Sequence, residues 1–183
     1  KLHAVDSMAA ATKYNTTPED AMTINGYYHA VCYDADGNVK WEEPIHNLVT
    51  TVGQNKTLDT ILGSSSAGAV VMGLKGVGTA IAADTQASHA SWAEVGGANA
   101  PTYSGARKSP SFNAAAAASK VTLSAVPFAM TSTGTVAGCF INIGGNSAID
   151  NTTGTLFSAG DFSSSKAVVN GDSIAVTYTL TLT

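Results

Sequence analysis

The sequence predicts an all-β fold, a β-sandwich or jelly-roll-like domain with one short α-helix and an extended N-terminal arm. Three observations carry that expectation. Residues 173–182 alternate strictly, with Ile174, Val176, Tyr178, Leu180 and Leu182 on one face and Ser, Ala and Thr on the other. That period of two marks a strand buried on one side. Elsewhere in the C-terminal half, short β-rich runs are punctuated by Gly, Asn and Ser clusters, the pattern of sandwiches and barrels. Helical spacing stands out only once, over about residues 53–62. A length of 183 residues suits a single domain, read here as residues 26–183 behind an arm of residues 1–25.

The arm contains Ala9-Ala10-Ala11 and Thr17-Pro18-Glu19-Asp20, which are helix-compatible. Thr17 suits a cap, Pro18 the first helical position, and the two acids the positive helix end. It has too few large apolar residues to hold a helix down without a partner. Tyr27–Tyr33 is aromatic and β-branched, Asp34–Asn38 is turn chemistry with Gly37 at the left-handed position, and Val39–Glu42 returns, which predicts a hairpin. The helix is marked by Leu58, Ile61 and Leu62, with Asn55 or Thr57 near its start and Gly63 at its end. Ala69–Leu74 reads as a buried strand, and residues 84–113 as a long irregular stretch of the kind that is functional or packed against a partner. Further strands are expected near 120–130, 135–143, 155–158, 166–169 and 173–182, with Ser163–Ser165 among the separating turns.

Composition narrows the function. Nine Lys+Arg against 13 Asp+Glu give a formal charge of −4, and charged residues are only 12% of the chain. Nucleic-acid binding needs clustered cations, so no nucleic-acid partner is expected. No apolar run reaches the ~20 residues of a membrane-spanning helix, and Lys1–Ala11 lacks the apolar core of a secretory signal, so no membrane partner is expected either. Twenty-two Thr, 18 Ser, 18 Gly and 30 Ala stand in for the missing charges. Residues 109–183 hold five charges, Lys120, Lys166, Asp150, Asp161 and Asp172. Such a stretch is either buried in an assembly or solvated through hydroxyls and backbone.

Candidate chemistry is thin. Asp84, Ser88 and His89 supply the residue types of a hydrolytic triad, but neighbours in sequence rarely face each other in one, and no G-x-S-x-G elbow occurs. Asp84 and His89 are read instead as holding loop backbone. Asp34, Asp36 and Asn38 imitate a calcium loop, yet Gly37 stands at position four and Ile45 at position twelve, so a self-bonded turn is expected. His3, His29, His46 and His89 have no metal-ligand spacing, and Gly76-Val77-Gly78 lacks the rest of a dinucleotide fingerprint. Cys32 and Cys139 belong to no CxxC pair; they are read as two buried small hydrophobes, with a bridge conceivable in an oxidising compartment. Three Asn-x-Thr sequons, at Asn15, Asn55 and Asn151, are at chance level in so Thr-rich a chain. Tyr27, Tyr28, Trp92 and Tyr103 are a candidate sugar platform or, equally, core and interface anchors. No catalytic, cofactor-binding or metal residue is assigned, and no cofactor; the chain is read as not an enzyme.

The order of several short motifs resembles a group of tailed-bacteriophage virion proteins. They are Tyr33-Asp34-x-Asp36-Gly37-x-x-x-Trp41, Asn47-x-Val49-x-x-Val52-Gly53 and Leu58-Asp59. Next come Ala83-Asp84-Thr85-x-x-Ser88-His89-x-x-Trp92-x-Glu94 and Tyr103-x-x-x-Arg107. Gly134-Thr135-Val136-x-Gly138, Gly154–Ser158 and Gly171-Asp172-x-Ile174-x-Val176-x-Tyr178 follow, so the resemblance runs over residues 27–183. It implies a head decoration (cement) protein on the virion capsid exterior, made in the host bacterial cytoplasm. Its implied partner is the major capsid protein, whose subunits it bridges, and the chain itself is expected to be a homo-oligomer, dimer or trimer. A tail-fibre, tail-adaptor or glycan-binding receptor component is the alternative. On this reading the arm and residues 84–107 supply contacts, with Pro18, Tyr27, Tyr28, Asp84, His89, Trp92, Tyr103 and Arg107 as candidate interface residues.

Overall fold

The computed structural model describes residues 22–183. The chain is all-β and sandwich-like, with one helix and nine strands among these residues. In chain order they are β1 (Ile24–Tyr33), β2 (Val39–Val49), α1 (Thr51–Ile61), β3 (Val70–Lys75) and β4 (Glu94–Val95). Then follow β5 (Ser119–Val121), β6 (Val126–Ala129), β7 (Gly134–Ile143), β8 (Thr155–Val168) and β9 (Ser173–Leu182). One antiparallel sheet runs β4-β3-β7-β8-β2-β1-β9-β5, with β6 also on β9, and curls so that its two halves face each other. The halves join where Asn47–Val49 of β2 pair with Ser158–Gly160 of β8. Beyond that seam the strands diverge, and Glu43 ties the gap: Oε1 accepts the Ser163 N–H at 2.8 Å and Oε2 meets Lys166 Nζ at 2.9 Å. Trp41 and Phe162 fill the gap edge to face, 5.4 Å apart.

The alternation at the C-terminus behaves as expected. Ile174, Val176 and Tyr178 are buried between the halves, beside Tyr28, Ala30 and Cys32 from β1 and Met72, Leu74, Ile141 and Phe157 from the other half. The hairpin turn is the self-bonded one expected: Asp34 Oδ1 accepts the Asp36 and Asn38 amides at 3.0 and 2.8 Å, and Gly37 has φ +86°. Cys32 and Cys139 are free, buried thiols. Burial pushes their pKa values up to about 11 and about 12.

Four expectations need correction. Strand β1 begins inside the segment read as arm: Ile24 faces Leu182 and Asn25 faces Thr181. The domain therefore starts a few residues before 26, while residues 1–21, Pro18 included, lie outside the described part. The helix starts at Thr51, not 53, because Thr50 caps it by accepting the Gly53 N–H at 3.0 Å; Asn55 and Thr57 do not. Its leucines do not face the core. Leu58, Ile61 and Leu62 are 50%, 60% and 78% exposed, and the helix instead lays Gly53 on β8, where an added Cβ would stand 2.2 Å from the Phe157 carbonyl oxygen. Finally, 155–158 and 166–169 belong to one strand. Val136 faces Lys166 and Gly138 faces Asp161, so β8 carries three residues more than β7 there, and the serine run bulges from a continuous ladder.

Candidate functional site

Strand β7 is buried on both faces over most of its length, so the side of β3-β7-β8 that points away from the sandwich interior also needs cover. Phe140, Leu156 and Ala159 form a second apolar cluster there, closed by Trp92 from the long segment after β3. Three polar clamps seat that segment.

The first centres on Trp92. Its indole Nε1–H donates to Asp84 Oδ2 at 2.9 Å, and the same oxygen accepts the Ile81 amide at 3.0 Å. The His89 ring stacks on Trp92 at 4.0 Å, with Nδ1 2.9 Å from the Trp92 carbonyl. Beneath lies Lys75, fully buried at the end of β3, its Nζ 5.5 Å from the Trp92 ring centroid. That ammonium donates to Asp161 Oδ1 at 2.5 Å and the Gly78 carbonyl at 2.6 Å, while Asp161 Oδ2 accepts the Ala80 amide. Gly78 sits at φ +116°, and a Cβ there would stand 1.8 Å from the Ser91 carbonyl oxygen, so the fold requires glycine.

The second clamp is an enclosed ion pair. Arg107 Nε and Nη2 reach Glu94 Oε1 and Oε2 at 2.8 and 2.6 Å, the two-pronged geometry a guanidinium fits best. Nη2 also donates to the Asn151 carbonyl at 2.8 Å, and Glu94 Oε2 accepts the Asp150 amide at 2.9 Å. The third is amide-based: Asn142, fully buried in β7, donates to Gln86 Oε1 and the Thr153 carbonyl and accepts the Gly145 amide.

For five of the candidate interface residues, burial is a correction. Tyr28, Asp84, Trp92, Tyr103 and Arg107 are enclosed by the chain itself and present almost no surface to a partner. Tyr28 reaches Ser158 Oγ at 2.8 Å and tilts against Tyr178, and Tyr103 packs edge-on against Phe128 at 5.0 Å. Burial raises both their hydroxyl pKa values, with Tyr178 adding to the effect on Tyr28 and Glu94 to that on Tyr103. Tyr27 and His89 are half-buried. The four aromatics therefore form no common sugar platform. The reason is compositional: with so few charges, the polar side chains of residues 84–107 go to satisfying a covered interior. Asp84 and His89 make no relay with Ser88, since the carboxylate and the imidazole both turn to Trp92.

Sequence reasoning missed Lys75, Asp161, Gln86 and Asn142 as organisers of this face. The available signal was a lone lysine closing the apolar run Val70–Leu74, and an isolated Asp161 in a nearly uncharged half. Above the clamps lies a hollow of about 420 Å³, edged by Gln86, Ser88, His89, Asn99, Asp150 and Thr152, whose groups are amides, hydroxyls, an imidazole and a carboxylate. Among the described residues no cluster of three metal-ligating side chains forms, and no helix is long and apolar enough to cross a membrane. No protein-family model matches the chain, and neither a curated protein nor a solved structure matches it.

Proposed function

We propose that the chain is a structural virion protein that binds the outside of a tailed-phage capsid and stabilises it by bridging major capsid subunits. The observation that carries this reading is the division of labour among side chains. Lys75, Asp84, Glu94, Arg107 and Asn142 are spent on internal clamps, while α1 exposes Leu58 and its C-cap Leu62, large apolar residues of the kind that mark contact surfaces. A rigid body with a small apolar contact gains little from one engagement. Repeated over many copies, or joined by an arm that orders on the shell, the contacts release only together. On this reading the arm is sought before Ile24, where β1 begins.

Copy number in purified particles, by quantitative mass spectrometry against the most abundant shell protein, tests this. Near-equal copies, or a simple fraction set by a symmetry axis, support shell decoration; absence from particles ends the virion reading. A second reading, a tail or receptor-binding component, is favoured by the hollow beside His89, where hydroxyl, amide and carboxylate groups stand among the apolar walls of Ala87, Ala90 and Ala93, a mixture that suits a sugar-like ligand. A handful of copies per particle, with glycan binding, supports that reading instead.

A further inference from the structure

A second cavity opens at the end of the sandwich, between the two halves of the sheet. Its volume is about 450 Å³, within the roughly 300–1,000 Å³ of small-molecule sites. Ile141 and Phe157 line it from one half, Tyr178 and Leu180 from the other, and α1 forms a side. The hydroxyls of the wall already have partners. Thr57 and Thr60 turn their hydroxyls back onto the Gly53 and Lys56 carbonyls of their own helix, at 3.1 and 2.7 Å. The Tyr178 hydroxyl accepts from Asn47 Nδ2 at 3.0 Å. The interior thus offers an occupant apolar surface alone.

The lining also includes two lysines, and they differ from the chain's clamped cations. Lys75 and Arg107 each face a carboxylate, whereas among the described residues Lys56 and Lys120 have none within ion-pair distance. Lys56 Nζ donates to Ser65 Oγ and the Ser66 carbonyl, and Lys120 Nζ to the Asn113 carbonyl. An ammonium carries three donors, so one remains on Lys56 and two on Lys120. The lysine stems line the cleft and their ammoniums are bonded at its rim, next to the lining residues Ala67 and Phe112, so an apolar cleft edged by two positive charges complements a molecule with an alkyl chain and an anionic head.

We infer that this cleft binds a single-chain amphiphilic carboxylate, of the fatty-acid class, with the alkyl chain between the half-sheets and the carboxylate at Lys56 and Lys120. The inference is independent of the capsid reading.

Calorimetric titration of the full chain with dodecanoate, below its micelle concentration, tests it. One saturable site is expected, with decanoate about tenfold weaker for its two missing methylenes. Dodecyltrimethylammonium should bind at least tenfold more weakly than dodecanoate. The double variant Lys56→Glu/Lys120→Glu should lose at least tenfold for dodecanoate and leave decanol unchanged. Ala67→Trp, at an exposed position on the cleft, should abolish binding of both without moving the unfolding midpoint. Absence of saturable binding overturns the inference, as does equal binding of anionic, neutral and cationic heads that ignores the lysine variants. A dimer that Ala67→Trp dissociates, or a cross-link from residues 1–21 into the cleft, gives the cleft to a second copy or to the chain's own terminus and equally overturns it.

Discussion

Replacing Arg107 with leucine removes a cation from a place water scarcely reaches. The side chains of Arg107 and Glu94 are 0% and 3% exposed. Two of the carboxylate's hydrogen bonds come from the guanidinium, and after the substitution the Asp150 amide at 2.9 Å is the remaining partner. An orphaned buried charge of this kind costs about 3–5 kcal/mol, a large part of the roughly 5–15 kcal/mol that holds a domain folded. In urea, with a slope of about 2 kcal/mol/M, the midpoint should fall by roughly 1.5–2.5 M. The partner substitution Glu94→Leu should be similarly harmful. Glu94→Leu/Arg107→Leu together should recover most of the loss, because two apolar side chains leave no charge stranded. Fluorescence-monitored unfolding of all four proteins gives the cycle. A single-variant cost below 1 kcal/mol, or a double variant showing the sum of the two losses, would refute this account of the clamp.

Gly53→Ala should destabilise by about 1–3 kcal/mol, opposite in sign to the gain alanine usually brings to a helix, because the new methyl meets the Phe157 carbonyl oxygen at 2.2 Å; urea unfolding reads it. The Glu43 carboxyl is held down at about 2 by hydrogen bonds from Ser163 and the Lys166 ammonium, from an ordinary value of 4.5. A depressed carboxyl stabilises the fold above its unfolded pKa and loses that contribution as pH falls through its folded one. The stability difference between the natural chain and Glu43→Gln should therefore be full above pH 5 and vanish towards pH 2, in unfolding midpoints measured across that range. Cys32 and Cys139, buried with raised pKa values, should resist an aromatic disulfide reagent at pH 8 and react fully once urea unfolds the chain. Leu58→Glu/Leu62→Glu should leave the unfolding free energy within about 0.5 kcal/mol of the natural chain, since both side chains are exposed, while weakening attachment to particles in a co-sedimentation assay.

The strands easiest to read were those whose side-chain pattern reports a single buried face. Residues 173–182 announce β9 because one side meets the core, and Asp34–Asn38 announces its turn because the bonding is local. Features set by distant partners were harder. Ser163–Ser165 has turn composition, and distant partners, the β7 ladder on either side of it and Glu43 about 120 positions earlier, keep it within a continuous strand. The α1 leucines sit at helical spacing without facing the core, since Gly53 decides which side touches β8. In the candidate site, Asp84 and His89 were legible as loop-holding groups. Burial of Trp92, Tyr103 and Arg107 was not, because an aromatic or arginine in a long irregular segment reads alike whether it meets a partner or its own sheet.

The sheet ends in stubs. On one side β4 contributes two residues, and on the other β5 and β6 cover β9 with three and four. An open edge of full length is a template on which another chain can add a strand, and proteins commonly blunt it with charge. With 12% charged residues this chain has little charge to deploy. Broken, partly capped edges serve instead, so strand-to-strand growth is interrupted by geometry rather than by repulsion. Protection of that kind does not weaken with added salt.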